Sequence, residues 1–450
     1  MSDNGLPQTV AFAGGNGENE IETYTEFLAK VRYSLYKLRN EEGVESPKSC
    51  DISMSDWIMQ SVDFSCEPKE RWDSYRFEGT KFLGCRFPPG VSASSVRARG
   101  AEVFENPSNL PFTPARGFMY RQEELQPIDD EIYRYYLREV GLGSIVFQSL
   151  HDTSIADALG DYCEGKCVVG IMGGHSLWRH SMEYQRVVRL CKALAELGVV
   201  VCTGGGPGAM EAANLGAYLY KRSEADVERA LEIIGQDRDE SGANYKKEAP
   251  LQVLKEFGYP TFQPSVGIPT WFYGHEPSNM FATWIGKYFS NAMRESHLLD
   301  ICTGGVIFTR GAAGTRQEIF QFACTNHYAK PGREAPMVFL GEEFWAEFGV
   351  YKLVQDTARG RAYSEHLLCT DSIEKVVTHI STYVKKAGLP LIKSEEELRE
   401  PFWISPELRD WCEEDVDIDV CHESDKVPPP VQRLVRRRTF GQHFNSPIRK

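Results

Sequence analysis

The chain has 450 residues and a formal charge of −14, with 42% hydrophobic and 12% aromatic side chains. That length suits two or three domains, and the apolar content excludes an intrinsically disordered chain. The acidic balance repels phosphate at long range and argues against nucleic acid or an anionic membrane as partner, although backbone N–H groups and an arginine can still hold one phosphate locally.

The opening run "MSDNGLPQTVAFAGGNGENE" is polar and lacks a basic n-region, so no signal peptide is expected. No segment has the roughly 18–20 apolar residues of a membrane span. Residues 1–150 read as an accessory region. It has a helical run at 19–40 and a turn-rich middle containing "RFPPGVSASS" and "ENPSNLPFTPARG".

Residues 151–392 alternate between short Val- and Ile-rich runs and helical patterns. "KCVVGIMGG" (166–174) leads to a helix over 182–198, and "VVVCTGGG" (199–206) to one over 208–220. The charged stretch 221–262 interrupts the pattern and reads as an inserted helical excursion. "PSVGIPTWF" (264–272) precedes a long helical stretch over 278–300. "GGVIFTRGAAG" (304–314) leads to a helix over 315–328, "APMVFLG" to one near 342–358, and "HLLCTD" to one over 372–388. Continuous apolar strands alternating with helices predict an α/β fold: a doubly wound, Rossmann-like parallel sheet with helices on both faces. From 393 the chain turns acidic, then basic at its end ("RLVRRRTFGQHFNSPIRK"), which reads as a solvated tail or an intramolecular partner of the acidic stretch.

The twelve cysteines are scattered. Cys163 and Cys167 are the closest pair, and neither they nor Cys421-His422 belong to a paired metal-ligand pattern, so no metal is expected. Cys167, Cys191, Cys202, Cys302 and Cys324 sit in apolar runs and read as buried reduced thiols of a cytoplasmic protein.

Three strand-to-helix turns are rich in glycine: "MGGHS" (172–176), "TGGGPG" (203–208) and "RGAAGT" (310–315). In an open parallel sheet such turns converge on one crevice at the carboxyl ends of the strands, where uncapped helix N–H groups favour an anion. Gly204-x-Gly206-x-x-Ala209 also matches a dinucleotide fingerprint. That motif belongs on the first strand of its unit, with an acidic strand end about 20 residues on. Here it follows the second strand, and Glu224, Asp226 and Glu228 fall in a charged helical stretch, so no NAD or other cofactor is expected.

In "RGAAGTRQE", Thr315 and Glu318 have capping-box spacing. A carboxylate at that position also lies where a sugar attached to a loop-bound phosphate would sit. Arg294, in "NAMRESH" one strand earlier, reaches for the same crevice or is a surface arginine.

The pair "TGGGPGAMEAANLGA" and "RGAAGTRQE" resembles the Lonely Guy family, whose hallmarks are a "GGGxxGxM" turn and a "PGGxGTxxE" motif. "GGHS" with "TGGGPGAMEA" is similar also to the larger bacterial nucleotide 5′-monophosphate nucleosidases, over about residues 165–390. The resemblance implies a phosphoribohydrolase that hydrolyses a nucleoside monophosphate to free base and ribose 5-phosphate, working as at least a homodimer. It assigns catalysis to Glu318 and Arg294, and phosphate binding to Gly311, Gly314 and Thr315. Gly204, Gly205, Gly206, Gly208 and Met210 match the other turn, which gives Gly205, Gly206 and Gly208 to the phosphate as well, while Met210, Gly174, His175, Ser176 and Glu211 are further substrate-binding candidates. Arg310 stands where the family has proline and Ala312 where it has the second glycine; alanine allows the turn only at negative φ. Trp178, Trp271, Phe272 and Tyr273 are available to stack on a base or to fill the core. The other functional class the fold admits is a non-catalytic nucleotide or molybdenum-cofactor carrier. A pyridoxal-phosphate decarboxylase is disfavoured, because no core lysine stands out as a Schiff-base candidate.

Overall fold

The computed structural model describes residues 19–236, 247–274 and 278–399. The basic tail and most of the acidic segment lie outside the described residues. The chain builds two parallel sheets, one of four strands and one of seven.

The smaller sheet holds β1 (Glu20–Ile21), β2 (Ile58–Gln60), β3 (Lys81–Leu83) and β4 (Glu102–Phe104), in that order. Ile58 pairs with Lys81 and Lys81 with Glu102, while the parallel bridges Ser53–Arg76 and Asp63–Arg86 flank these pairs. The chain therefore coils in one direction, and equivalent residues stack. Ile52, Met54, Met59 and Phe64 are answered one circuit later by Tyr75, Phe77, Phe82 and Phe87 in the same apolar cluster. The helix Tyr24–Asn40 starts where Thr23 accepts from the Glu26 N–H, and buries Phe27 and Val31 on this coil. The sequence reading missed this coil.

The larger sheet contains β5 (Val168–Met172), β6 (Val200–Thr203), β7 (Ser265–Gly267), β8 (Trp284–Ile285), β9 (Val306–Phe308), β10 (Met337–Leu340) and β11 (Leu367–Thr370). Their order is β11-β10-β9-β5-β6-β7-β8. This is the predicted doubly wound α/β architecture. The chain winds outward from β5 to β8, then returns to lay β9 against the other side of β5. The reversal opens a crevice at the carboxyl ends of β5 and β9. β5, β6, β9 and β10 are buried along their whole length, which is why they read as unbroken apolar runs.

Several boundaries differ from expectation. Residues 278–300 are not one helix: β8 lies inside this stretch, paired with β7 and bridged antiparallel to Tyr120, and the helix covers only Asn291–Asp300. Phe281, Trp284, Ile285 and Tyr288 recur at helical spacing because all are buried in one core, so the pattern misleads. The helix near 342–358 is two, Glu342–Glu347 and Val350–Ala358, separated at Gly349 with φ 64°. The excursion 221–262 does contain helices, Glu224–Gly235 and Glu248–Phe257, and both bury apolar faces in the core of the large sheet. That core begins near Phe112, and the boundary placed at 150 falls inside the helix Leu142–Cys163.

Among the described residues no helix is long and apolar enough to cross a membrane. Among the described residues nine cysteines, from Cys66 to Cys369, are free thiols. Cys167, Cys191, Cys202 and Cys302 are buried as expected, but Cys324 is exposed, and Cys50, outside that set, is disulfide-bonded.

Candidate functional site

The three glycine turns do meet. The Gly174 N–H donates to the Arg310 carbonyl at 2.8 Å, and the Gly174 carbonyl accepts from the Ala209 N–H at 3.0 Å. A Cβ on Gly173 would collide with the Thr309 hydroxyl. A Cβ on Gly208, whose φ is +69°, would lie 2.5 Å from the carbonyl oxygens of Gly174 and His175. His175 and Ser176 are exposed at the rim of this junction.

A buried amide network fixes the 203–208 loop from behind. Thr203 donates its hydroxyl proton to Asn214 at 2.7 Å and accepts from the Gly205 N–H at 3.0 Å. Asn279 donates to the Gly206 carbonyl at 3.1 Å and to Asn214 at 2.9 Å, and Asn214 donates to Ser265 at 2.9 Å. Met210 packs under the loop, its sulfur 2.9 Å from the point a Gly204 Cβ would occupy. Glu211 is buried, and both its oxygens are engaged: Arg179 donates to them at 2.8 and 2.6 Å, and the Tyr184 hydroxyl donates at 2.8 Å. It braces the helix Ala209–Tyr218 against the segment after β5 and does not face the crevice as a free carboxylate.

The third turn is built differently. The helix Ala313–Tyr328 begins two residues before the expected Thr315, so Thr315 and Glu318 form no capping box. Ala312 takes the N-cap position with φ −103°, the negative value that alanine tolerates, and no side chain caps the helix. Its first N–H groups are thus available to an anion. Nothing lies within 4 Å of a Cβ built on Gly314, while Gly311 is pressed against the Thr315 side chain. Arg310 leans away, toward Glu183 at 3.3 Å and over the Phe344 ring at 5.1 Å. It lines a cavity of about 380 Å³ with Leu177, Glu183, Arg186 and Asp371.

Arg294 and Glu318 come from adjacent helices, Asn291–Asp300 and Ala313–Tyr328. Arg294 is only 8% exposed. Its Nε and Nη2 donate to Asn291 Oδ1 at 3.2 and 2.7 Å, and Nη2 donates to Glu295 at 3.2 Å. Its Nη1 lies 3.8 Å from the point a Gly204 Cβ would occupy, so the guanidinium reaches the second glycine turn. Burial pushes the half-buried Glu318 carboxyl up to about 7, against the pull of Arg294 and with a further push from Glu295. Among the described residues no side chain hydrogen-bonds Glu318. The pair therefore puts a carboxylate that titrates near neutrality beside a fixed cation.

Sequence reasoning missed the residues that hold this pair. Glu295 accepts from Arg294, from Asn291 at 2.7 Å, from the Tyr273 hydroxyl at 3.2 Å and from Gln317 at 2.7 Å, so it ties the two helices together. The buried amides Asn214 and Asn279 belong to no motif; only their burial in three dimensions reveals them. Of the four aromatic candidates, Trp271 is core, stacked on Phe289 and donating to Asp129 at 2.8 Å. Trp178, Phe272 and Tyr273 are exposed, and Tyr273 stands beside Glu295 at the edge of the Arg294 site. Neither a protein-family model nor a curated protein matches this chain.

Proposed function

We propose that the chain is a phosphoribohydrolase, which cleaves the N-glycosidic bond of a nucleoside 5′-monophosphate with water to give free base and ribose 5-phosphate. The observation that carries the reading is Arg294, which reaches the second glycine turn and acts electrostatically on Glu318 from the neighbouring helix, beside the junction of the three glycine turns. Breaking a ribosyl C–N bond builds positive charge on the ribose ring, as in other glycoside hydrolyses. In its ionised form Glu318 stabilises that charge and takes a proton from the attacking water, and the proton leaves with the base. The phosphate sits on the uncapped N–H groups of residues 313–315, over the open face of Gly314. Arg294 neutralises the phosphate and favours the charged form of Glu318. Binding at the phosphate, away from the broken bond, holds the ribose in line with the carboxylate. A second copy of the chain as the partner that closes the crevice follows from the resemblance to the Lonely Guy family.

The test is a panel of AMP, GMP, CMP, UMP, IMP and modified adenine monophosphates incubated with the purified chain, with base and ribose 5-phosphate identified as products. Turnover of none of them sinks the hydrolase. A monophosphate that co-purifies unhydrolysed, detected by mass spectrometry, would support the carrier reading instead; the intact Arg294–Glu318 pair weighs against it.

A further inference from the structure

Away from the crevice, the N-terminal coil meets the large domain across a group of buried acids. Glu22 directly follows β1, while Asp157 and Asp161 lie one turn apart on the helix Leu142–Cys163. They are 6%, 5% and 4% exposed. One carboxylate oxygen from each lies within 4.8 Å of those of the other two. Gln60 of β2 donates to Asp157 at 2.8 Å and to the Arg116 carbonyl at 3.3 Å, which brings the coil against the same spot. Oε1 of Glu22 is buried with no hydrogen-bond partner.

The surroundings deepen the charge. The neighbours that act on Glu22 are Asp161, Asp157, Glu26 and Glu20, all acidic. Asp157 feels Glu20 and Asp161, and Asp161, which hydrogen-bonds the Glu22 side chain, feels Glu20, Glu164 and Glu26. Lys30 is the nearby cation, and it acts on Glu26, whose carboxylate is already held by the Glu22 N–H at 3.0 Å. Like charges four residues apart on a helix, removed from water, destabilise the fold unless positive charge enters.

We propose that Glu22, Asp157 and Asp161 hold a hard divalent cation, Ca²⁺ or Mg²⁺, that fastens the N-terminal coil to the α/β domain. The donor set is oxygen only, the preference of these two ions, and contains no nitrogen or sulfur that would select zinc or copper. Because the three oxygens lie within 4.8 Å of one another, one ion at about 2.4 Å, within the calcium range, can reach them together. Glu22 brings a buried oxygen without a hydrogen-bond partner, and the ion supplies the charge that the surrounding acids lack.

The experiment uses the full chain, stripped with EDTA and dialysed at about pH 8, where carboxylate ligands compete best against protons. Calorimetric titration with CaCl₂ and MgCl₂ is expected to show one bound equivalent. The thermal midpoint should rise by about 2 °C or more over a control matched with NaCl. Asp157→Asn/Asp161→Asn, or Glu22→Gln where the double variant does not fold, should abolish both signals. The proposal is overturned if the stripped wild type binds neither ion. It is equally overturned if the variants bind the ion as tightly as wild type. None of these readouts depends on hydrolysis, so failure here leaves the proposed activity standing, and the reverse holds too.

Discussion

In the 203–208 loop, Gly205 and Gly208 have φ of 71° and 69°, and a Cβ on Gly208 would press on two carbonyl oxygens. In the 310–315 loop, Gly314 has empty space where its Cβ would be, and an alanine already occupies the N-cap at negative φ. The first set of glycines lets backbone pack on backbone; the second leaves a helix N-terminus bare. Similar letters thus do two jobs, one packed inside the fold and one left open. The neighbours agree: Asn279, Asn214 and Thr203 hold the first loop with hydrogen bonds, whereas no side chain caps the helix that opens from the second.

The sharpest way to break this contrast is Glu318→Gln. The amide keeps the shape, removes the base and cannot stabilise ribosyl charge, so kcat should fall by about a thousandfold. The thermal midpoint should hold or rise slightly, because burial disfavours the charge that is removed. Loss of the fold together with the activity would return Glu318 to a structural role. Gly208→Ala should do the opposite. Its positive φ and its contact with the Gly174 and His175 carbonyls make it cost about 3 kcal/mol, read by denaturant titration, and activity should fall only with the folded fraction.

The pH profile separates the loops more gently. Glu318 must be ionised to act, and its carboxyl sits near 7, so kcat/KM should rise with pH through about 7 and level off above. Arg294 pulls that value down while burial and Glu295 push it up. Arg294→Met removes the pull, so the acid limb should move to higher pH as well as lower in height. A limb that stays in place would mean that Arg294 does not face Glu318 in the working enzyme.

Much of the fold was legible because a strand buried on both faces must be apolar throughout; β5, β6, β9 and β10 announced themselves in that way. β8 did not, since Trp284–Ile285 is two residues long and its buried aromatic neighbours mimic helical spacing. The N-terminal coil did not either, for its strands are three residues long or shorter and its stacked partners lie a full circuit apart. At the site, the glycine turns could be read as an anion crevice, but Arg294 and Glu318 were joined only by resemblance. Glu295, Asn214 and Asn279 carry no spacing signal, because a side chain that orients another is defined by contact and not by motif. The Glu22, Asp157 and Asp161 cluster was hidden for the same reason: its halves come from two elements that meet only in the fold.

The smallest expected effect is the most discriminating. Gly314 lies in the first turn of the helix Ala313–Tyr328 with open space over its Cα. Alanine there meets no atom and reduces the freedom of the unfolded chain, so Gly314→Ala should stabilise the protein by about 0.5 kcal/mol. The same methyl would stand where the phosphate rests on the helix N–H groups. KM should therefore rise severalfold while kcat changes little, because the group that is hindered binds substrate and transition state alike. A gain in stability with unchanged KM would remove the phosphate from this turn and leave Arg294 and the 203–208 loop to hold it. A loss of stability would mean that the space over Gly314 is filled in solution, and the distinction between a packed loop and an open one would fall with it.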